Sequence, residues 1–161
     1  ARIFRDYGEE PKARRLAREI VRRREDRPFI SSDDLVGALA RATGRPPHPK
    51  GMARVFQALR IVVNQELSVL TDTLPRIRDE LNPQGVLAVI SYHSLEDRIV
   101  KRSFREWSID CVCPPGLPVC ACDHRSLGEP LFRKSRQPSE EEITRNPRAR
   151  SARLRAWRKA A

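Results

Sequence analysis

The hydrophobic period of this chain changes at Asn82-Pro83-Gln84-Gly85, and the change limits what can fold on either side of it. Upstream, apolar residues recur at every third or fourth position; from Val86 they run unbroken through Leu87, Ala88 and Val89 to Ile90. A short aliphatic, β-branched run behind a turn predicts a strand covered on both faces, as in a parallel sheet. Ser91-Tyr92-His93 stands at its carboxyl end, and Ser94 with Asp97 has capping-box-like spacing, opening a helix through Ile99, Val100, Phe104 and Trp107. Helix, turn, buried strand, polar strand end and helix make a piece of an α/β fold, with ligands expected at the strand's carboxyl edge.

The upstream stripes are helical. Ala13, Leu16, Ala17, Ile20 and Val21 line one side of a helix over Pro11 to Glu25, with arginines on the other and Pro28 as its end. Ser31 or Ser32 caps a second helix over Asp33 to Ala42, which Gly44 stops. After the stiff connector Arg45-Pro46-Pro47-His48-Pro49, the residues Phe56, Leu59, Val63, Leu67, Leu70, Leu74, Ile77 and Leu81 predict a long helix, broken or kinked near Pro75. Downstream, Leu131 and Phe132 suggest an edge strand, and Pro138-Ser139-Glu140-Glu141-Glu142 opens a short capped helix. Ser151 to Arg158 alternates Ala152, Leu154 and Ala156 against Arg153, Arg155 and Trp157, as a half-buried strand does.

Charge narrows the partners. The 161 residues carry a net +11, concentrated in two places. Residues 11–27 hold eight cations against three acids, and residues 145–161 hold six arginines and one lysine with no acid. Two local basic surfaces are the footprint expected for a polyanion, with nucleic acid the usual partner and a solvated surface the competing reading. No apolar run approaches the roughly 20 residues of a membrane helix, so no membrane partner is expected. Seven glycines never cluster, which leaves no glycine-rich loop to hold a nucleotide or a methionine-derived cofactor. The amino end, Ala1-Arg2-Ile3-Phe4, has neither an initiator Met nor a signal-peptide pattern, and reads as an internal cut in a longer chain.

Cys111, Cys113, Cys120 and Cys122 form C-x-C-x6-C-x-C around Pro114-Pro115-Gly116-Leu117-Pro118, a bend able to fold the two halves face to face. Such a group can enclose a tetrahedral zinc ion, although C-x-C is tighter than the usual spacer. Free thiols are the alternative, and a disulfide pair suits an otherwise polar, intracellular-looking chain poorly. In every case the cluster is expected to shape a loop and not to be the reaction centre, with His124 either a further ligand or a bystander. His93 is the best single chemical candidate, because an imidazole at a buried strand's carboxyl end lies where α/β sheets place ligands; its plainer role is a hydrogen bond to the turn. Arg54, Gln57, Arg60 and Asn64 share a polar helix face that suits phosphate or base edges, or else an interhelical polar network. Asn146-Pro147-Arg148-Ala149-Arg150-Ser151 reads as a rigid turn presenting two guanidinium groups to RNA backbone.

Three segments carry a resemblance: Arg54-Val55-Phe56-Gln57-Ala58-Leu59-Arg60-Ile61 with Asn64, Glu66 and Leu67; Val89 through Lys101; and Asn146-Pro147-Arg148-Ala149-Arg150-Ser151-Ala152 with Leu154-Arg155. Together they resemble the MraW/RsmH family, S-adenosylmethionine-dependent methyltransferases acting on the N4 amine of a cytosine in the decoding region of bacterial 16S ribosomal RNA. The likeness covers nearly the whole chain in order, including a cysteine loop found in some members. It implies a class I (Rossmann-like) methyltransferase sheet with a helical insertion domain. Residues 1–70 would be the later part of that substrate-recognition insertion and residues 71–161 the carboxyl-terminal half of the sheet domain, with the Cys-rich loop at 111–124.

The family's cofactor loop and its acidic residue lie upstream of Ala1, so no cofactor-binding residue carries over and the isolated chain is expected to be inactive. Two departures stand out: Tyr92 replaces the usual Phe, and the spacing from His48-Pro49 to Arg54 exceeds the family's. On this likeness Ser91, His93 and Asp97 are expected near the reacting cytosine, with His93 orienting it or accepting its proton. Arg54, Arg60, Asn64, Arg148, Arg150 and Arg153 are expected on RNA. The expected partner is 16S rRNA in the small ribosomal subunit, in the cytoplasm, with a homodimer left open. The rival from another class is a non-enzymatic, basic, zinc-stapled RNA-binding module.

Overall fold

The computed structural model describes residues 1–114 and 119–161, so most of the proline-rich bend lies outside the described residues. The chain forms two compact units, Ala1–Glu66 and Leu67–Ala161.

The first unit is helical. Its helices are α1 (Arg2–Asp6), α2 (Ala13–Asp26), α3 (Ser32–Thr43) and α4 (Pro49–Val63). Ser31 and Asp34 form a reciprocal capping box at the start of α3, and Gly44, at φ 74°, closes it in the left-handed conformation that glycine adopts without strain. His48 is the cap of α4: its Nδ1 accepts from the Lys50 N–H at 3.2 Å, and Pro49 follows as the first helical residue. Phe4, Ala13, Leu16, Ala38, Leu39, Ala42, Val55 and Ala58 are the buried core, in which the alanines let the helices approach closely.

The long helix breaks at Asn64-Gln65, where Gln65 takes φ 53°, and not at Pro75. Pro75 lies inside α5 (Glu66–Glu80). Proline forgoes one backbone hydrogen bond there, while Leu74 is buried in the second core with Leu70 packed against it, and their burial offsets the cost.

The second unit packs α5 and α6 (Ser94–Trp107) with a three-stranded antiparallel sheet in the order β1-β3-β2, where β1 is Val86–Ser91, β2 Gly128–Pro130 and β3 Arg153–Lys159. Short α7 (Glu140–Arg145), capped by Ser139, leads into a 3-10 turn over Pro147–Ser151. The parallel, doubly covered strand expected at 86–90 is thus an antiparallel edge strand with one bare face. Val86 and Ile90 are 47% and 58% exposed, while Leu87 and Ser91 are buried. An unbroken apolar run does not say which neighbour it pairs with, and here that neighbour is β3. The third strand lies at Gly128–Pro130, just before the expected Leu131-Phe132, and a Cβ at residue 128 would stand 2.0 Å from the Arg158 carbonyl oxygen. Only glycine allows that approach.

β3 is not one-sided as expected: Ala156 is buried on one face and Trp157 on the other. Trp157 faces inward with Leu87, Val100, Phe104, Trp107 and Leu74, and is fully buried. Its indole N–H donates to Ser108 Oγ at 3.0 Å, and its ring meets Trp107 edge-on at 5.3 Å between centroids. Lys159 does not belong to a free basic surface: its ammonium donates to the carbonyls of Asp79 and Leu81 at 2.9 and 2.7 Å, closing the end of α5.

Candidate active site and nucleic-acid interface

The carboxyl end of β1 runs through Ser91 and Tyr92 into α6, and His93 is the cap of that helix. His93 Nδ1 accepts from the Glu96 N–H at 3.3 Å, while Glu96 Oε2 accepts from the N–H groups of Tyr92 and His93 at 2.8 and 3.2 Å. The capping box is therefore His93 with Glu96, one residue earlier than the expected Ser94 with Asp97. The shift turns Asp97 toward the sheet. A neutral imidazole that accepts through Nδ1 carries its proton on Nε2. That Nε2 lies 3.2 Å from Glu96 Oε1 at an angle that makes no hydrogen bond, and it is buried without a partner among the described residues.

Asp97 is 7% exposed and receives both arms of the Arg155 guanidinium, Nε to Oδ1 at 2.7 Å and Nη2 to Oδ2 at 3.1 Å. Arg153 Nη1 approaches the same carboxylate at 3.6 Å, and the buried Ser91 Oγ donates to the Arg153 carbonyl at 3.4 Å. Register explains the meeting: Ser91 pairs with Arg153 and Val89 with Arg155, on the sheet face that also carries Leu87 and Trp157. The structure thus brings Ser91, Asp97 and Arg153 into one corner beside His93. Arg155, named in the sequence as part of a strand and a motif but not as a site residue, is the residue that holds Asp97.

The arginines expected on RNA fall in both units. Arg148 and Arg150 stand exposed on the 3-10 turn, whose buried Ala149 anchors it and whose first N–H, that of Arg148, donates to Asn146 Oδ1 at 3.2 Å. Arg153, with Asp97 as its acid neighbour, is about half exposed. In the first unit, Arg60 donates twice to Glu66, at 2.7 and 3.1 Å, and Asn64 Nδ2 donates to the same carboxylate at 3.3 Å. Arg54 lies 3.6 Å from the buried Glu10 and donates to the Glu9 carbonyl, with its Nε buried and in no hydrogen bond among the described residues. A groove in the second unit, also not singled out in the sequence, places Lys101, Arg105, Arg133 and Lys134 around Phe104 and Phe132. Four cations lining one groove suit a polyanion backbone, while Phe104 belongs to the core and Phe132 is half-buried.

The four cysteines stand between α6 and β2, unpaired, with their sulfur atoms all within 4.8 Å of one another. His124 is not in the group. Backbone N–H groups of Val112 and His124 favour the Cys122 thiolate and hold that thiol down at about 6. Cys111 accepts from the Cys113 N–H, yet the surrounding Cys120, Cys113 and Cys122 thiols push it up to about 12. The loop is tied back to the fold by Leu127 N–H, which donates to the Trp107 carbonyl at 2.8 Å, and Ser126 N–H, which donates to Asp110 at 3.3 Å. No helix among the described residues is long and apolar enough to cross a membrane.

Comparison with known proteins adds an independent finding. The family model of the MraW methylase family matches residues 1–160. The protein named ribosomal RNA small subunit methyltransferase H from Gemmatimonas aurantiaca is 57% identical over 98% of this chain and 50% of its own length. Proteins of the same name from Thermomicrobium roseum and Syntrophotalea carbinolica are 50% and 52% identical, over 97% and 99% of this chain and 48% and 52% of theirs. The chain therefore spans about half the length of the curated relatives it matches.

Proposed function

The chain belongs to the MraW methylase family, and from that premise we propose that it forms part of an S-adenosylmethionine-dependent enzyme that methylates a cytosine N4 amine in the decoding region of 16S rRNA, within the small ribosomal subunit. The observation that carries the reading is the corner at the carboxyl end of β1, where Ser91, His93 and the Asp97 ion pairs meet beside exposed Arg153. In this proposal the first unit is the later part of a substrate-recognition insertion. The second is the carboxyl-terminal half of a class I sheet, whose further strands would add at the free edge of β1.

S-adenosylmethionine, when bound, supplies the methyl group. No residue of this chain is assigned to hold it, since the seven glycines are scattered along the sequence. What these residues supply is orientation. A cytosine N4 amine is a weak nucleophile, because its lone pair is delocalised into the ring, so positioning provides most of the rate, after the base is turned out of its stack. The buried His93 Nε2–H, 3.2 Å from Glu96 Oε1 but in no hydrogen bond among the described residues, is the donor for that purpose, because a buried donor without a hydrogen bond costs about 1–3 kcal/mol that a ligand can restore. Its Nδ1 is occupied by the helix cap, which makes His93 an orienting group and not the proton acceptor. Asp97 is a positioning residue that holds Arg153 and Arg155 at the strand end.

Arg148, Arg150 and Arg153 hold phosphates, continued by the groove of Lys101, Arg105, Arg133 and Lys134. Arg54, Arg60 and Asn64 take RNA by exchange: Arg60 pairs with Glu66 while remaining more than half exposed, and such a pair is worth only about 0–1 kcal/mol, so phosphate displaces it cheaply. Arg148→Ala is expected to weaken RNA binding and to reduce the slope of log affinity against log salt by about 0.7, one phosphate contact on a single strand. Titration of fluorescent RNA at several salt concentrations reads this directly, and an unaltered slope would return Arg148 to the solvated surface.

A further inference from the structure

We propose that Cys111, Cys113, Cys120 and Cys122 form a closed, mononuclear four-thiolate zinc site that staples the loop between α6 and β2. The geometry comes first. Zinc–thiolate bonds of about 2.3 Å in a regular tetrahedron set its sulfur–sulfur edges at about 3.8 Å. The distances here are 3.5 Å for Cys111–Cys120, 3.6 Å for Cys120–Cys122, 3.7 Å for Cys111–Cys122 and 3.9 Å for Cys113–Cys120. Four sulfurs that close surround one ion. Disulfides would need two contacts of about 2.0 Å, whereas here Cys120 is almost equally near to all three others and no pairing is favoured.

The surroundings also suit a metal thiolate. The Cys113 N–H points at Cys111 Sγ and the Ala121 N–H at Cys113 Sγ, both at 3.4 Å, in the manner of the outer hydrogen bonds that orient and stabilise metal-bound ligands. Among the described residues of the loop, Val112 and Val119 are 61% and 76% exposed and contribute no core. Residues that bury so little apolar surface gain order from a crosslink or a metal. Four protein ligands leave no open coordination position, so the ion is structural. The inference rests on the geometry of this loop and stands or falls apart from the methyltransferase reading.

The test uses protein from the complete reading frame, made in zinc-supplemented medium and purified without chelator. Metal analysis is expected to find about one zinc per chain, falling at least tenfold in both Cys111→Ser and Cys120→Ser. Chelation should open residues 109–127 to protease while the near-ultraviolet signal of Trp107 and Trp157 persists. Cobalt added to the stripped wild-type protein should give the intense visible bands of a tetrahedral thiolate site, a readout that does not depend on the variants folding. A metal-free protein in which Cys111, Cys113, Cys120 and Cys122 all titrate as thiols overturns the site. So does an intact mass short by the hydrogens of one or two disulfides, or zinc that stays bound after both cysteines are replaced.

Discussion

His93→Asn is expected to lower turnover of the complete protein about 100-fold, with RNA affinity and thermal stability almost unchanged. Asparagine is chosen because it separates two roles that one side chain performs here. His93 caps α6 by accepting the Glu96 N–H, and asparagine is among the best caps, so the helix start is kept. The imidazole Nε2–H is lost, and with it the donor proposed to fix the base. Misplacing a reacting group by about 1 Å costs on the order of 100-fold, which sets the size of the effect. Single-turnover kinetics beside RNA titration make the distinction. Full activity in the asparagine variant would leave His93 as a helix cap and nothing more.

Asp97→Ala is expected to destabilise the fold by about 3–5 kcal/mol, because it strands Arg155 without the carboxylate that receives both of its arms. The double variant Asp97→Leu with Arg155→Met is expected to recover most of that loss, since an apolar pair of similar volume removes both charges together. Chemical denaturation of the single and double variants measures the coupling. If the double variant folds yet fails to methylate, Asp97 also acts through Arg153, its second guanidinium neighbour. A loss under about 1 kcal/mol in the single variant would show that the pair is solvated and carries little.

These two side chains show where sequence patterns are informative and where they stop. Helical stripes and caps are local, so α2, the Ser31 cap, Gly44 and the Ser139 cap are all readable from a few residues. The break near Pro75 was not, because proline is only a local cost, which the burial of Leu74 in the second core offsets; the actual break at Gln65 has no strong composition signal. The run Val86 to Ile90 announced a strand but not its neighbour, since apolar content on both faces does not distinguish a parallel partner from the antiparallel β3. Asp97 was singled out from its place after the strand, yet its partner Arg155 lies 58 residues away and meets it only through strand register. The cysteine spacing was legible as a group, whereas the near-tetrahedral sulfur distances required the fold.

The central claim is tested most directly by incubating the product of the complete reading frame with labelled S-adenosylmethionine and unmodified small ribosomal subunits, then digesting the RNA and identifying the methylated nucleoside by mass. The expected result is N4-methylcytidine at a single site, lost together with turnover in His93→Asn. No transfer, with tight and salt-sensitive RNA binding retained, would contradict the account and leave a basic RNA-binding module built on a methyltransferase fold.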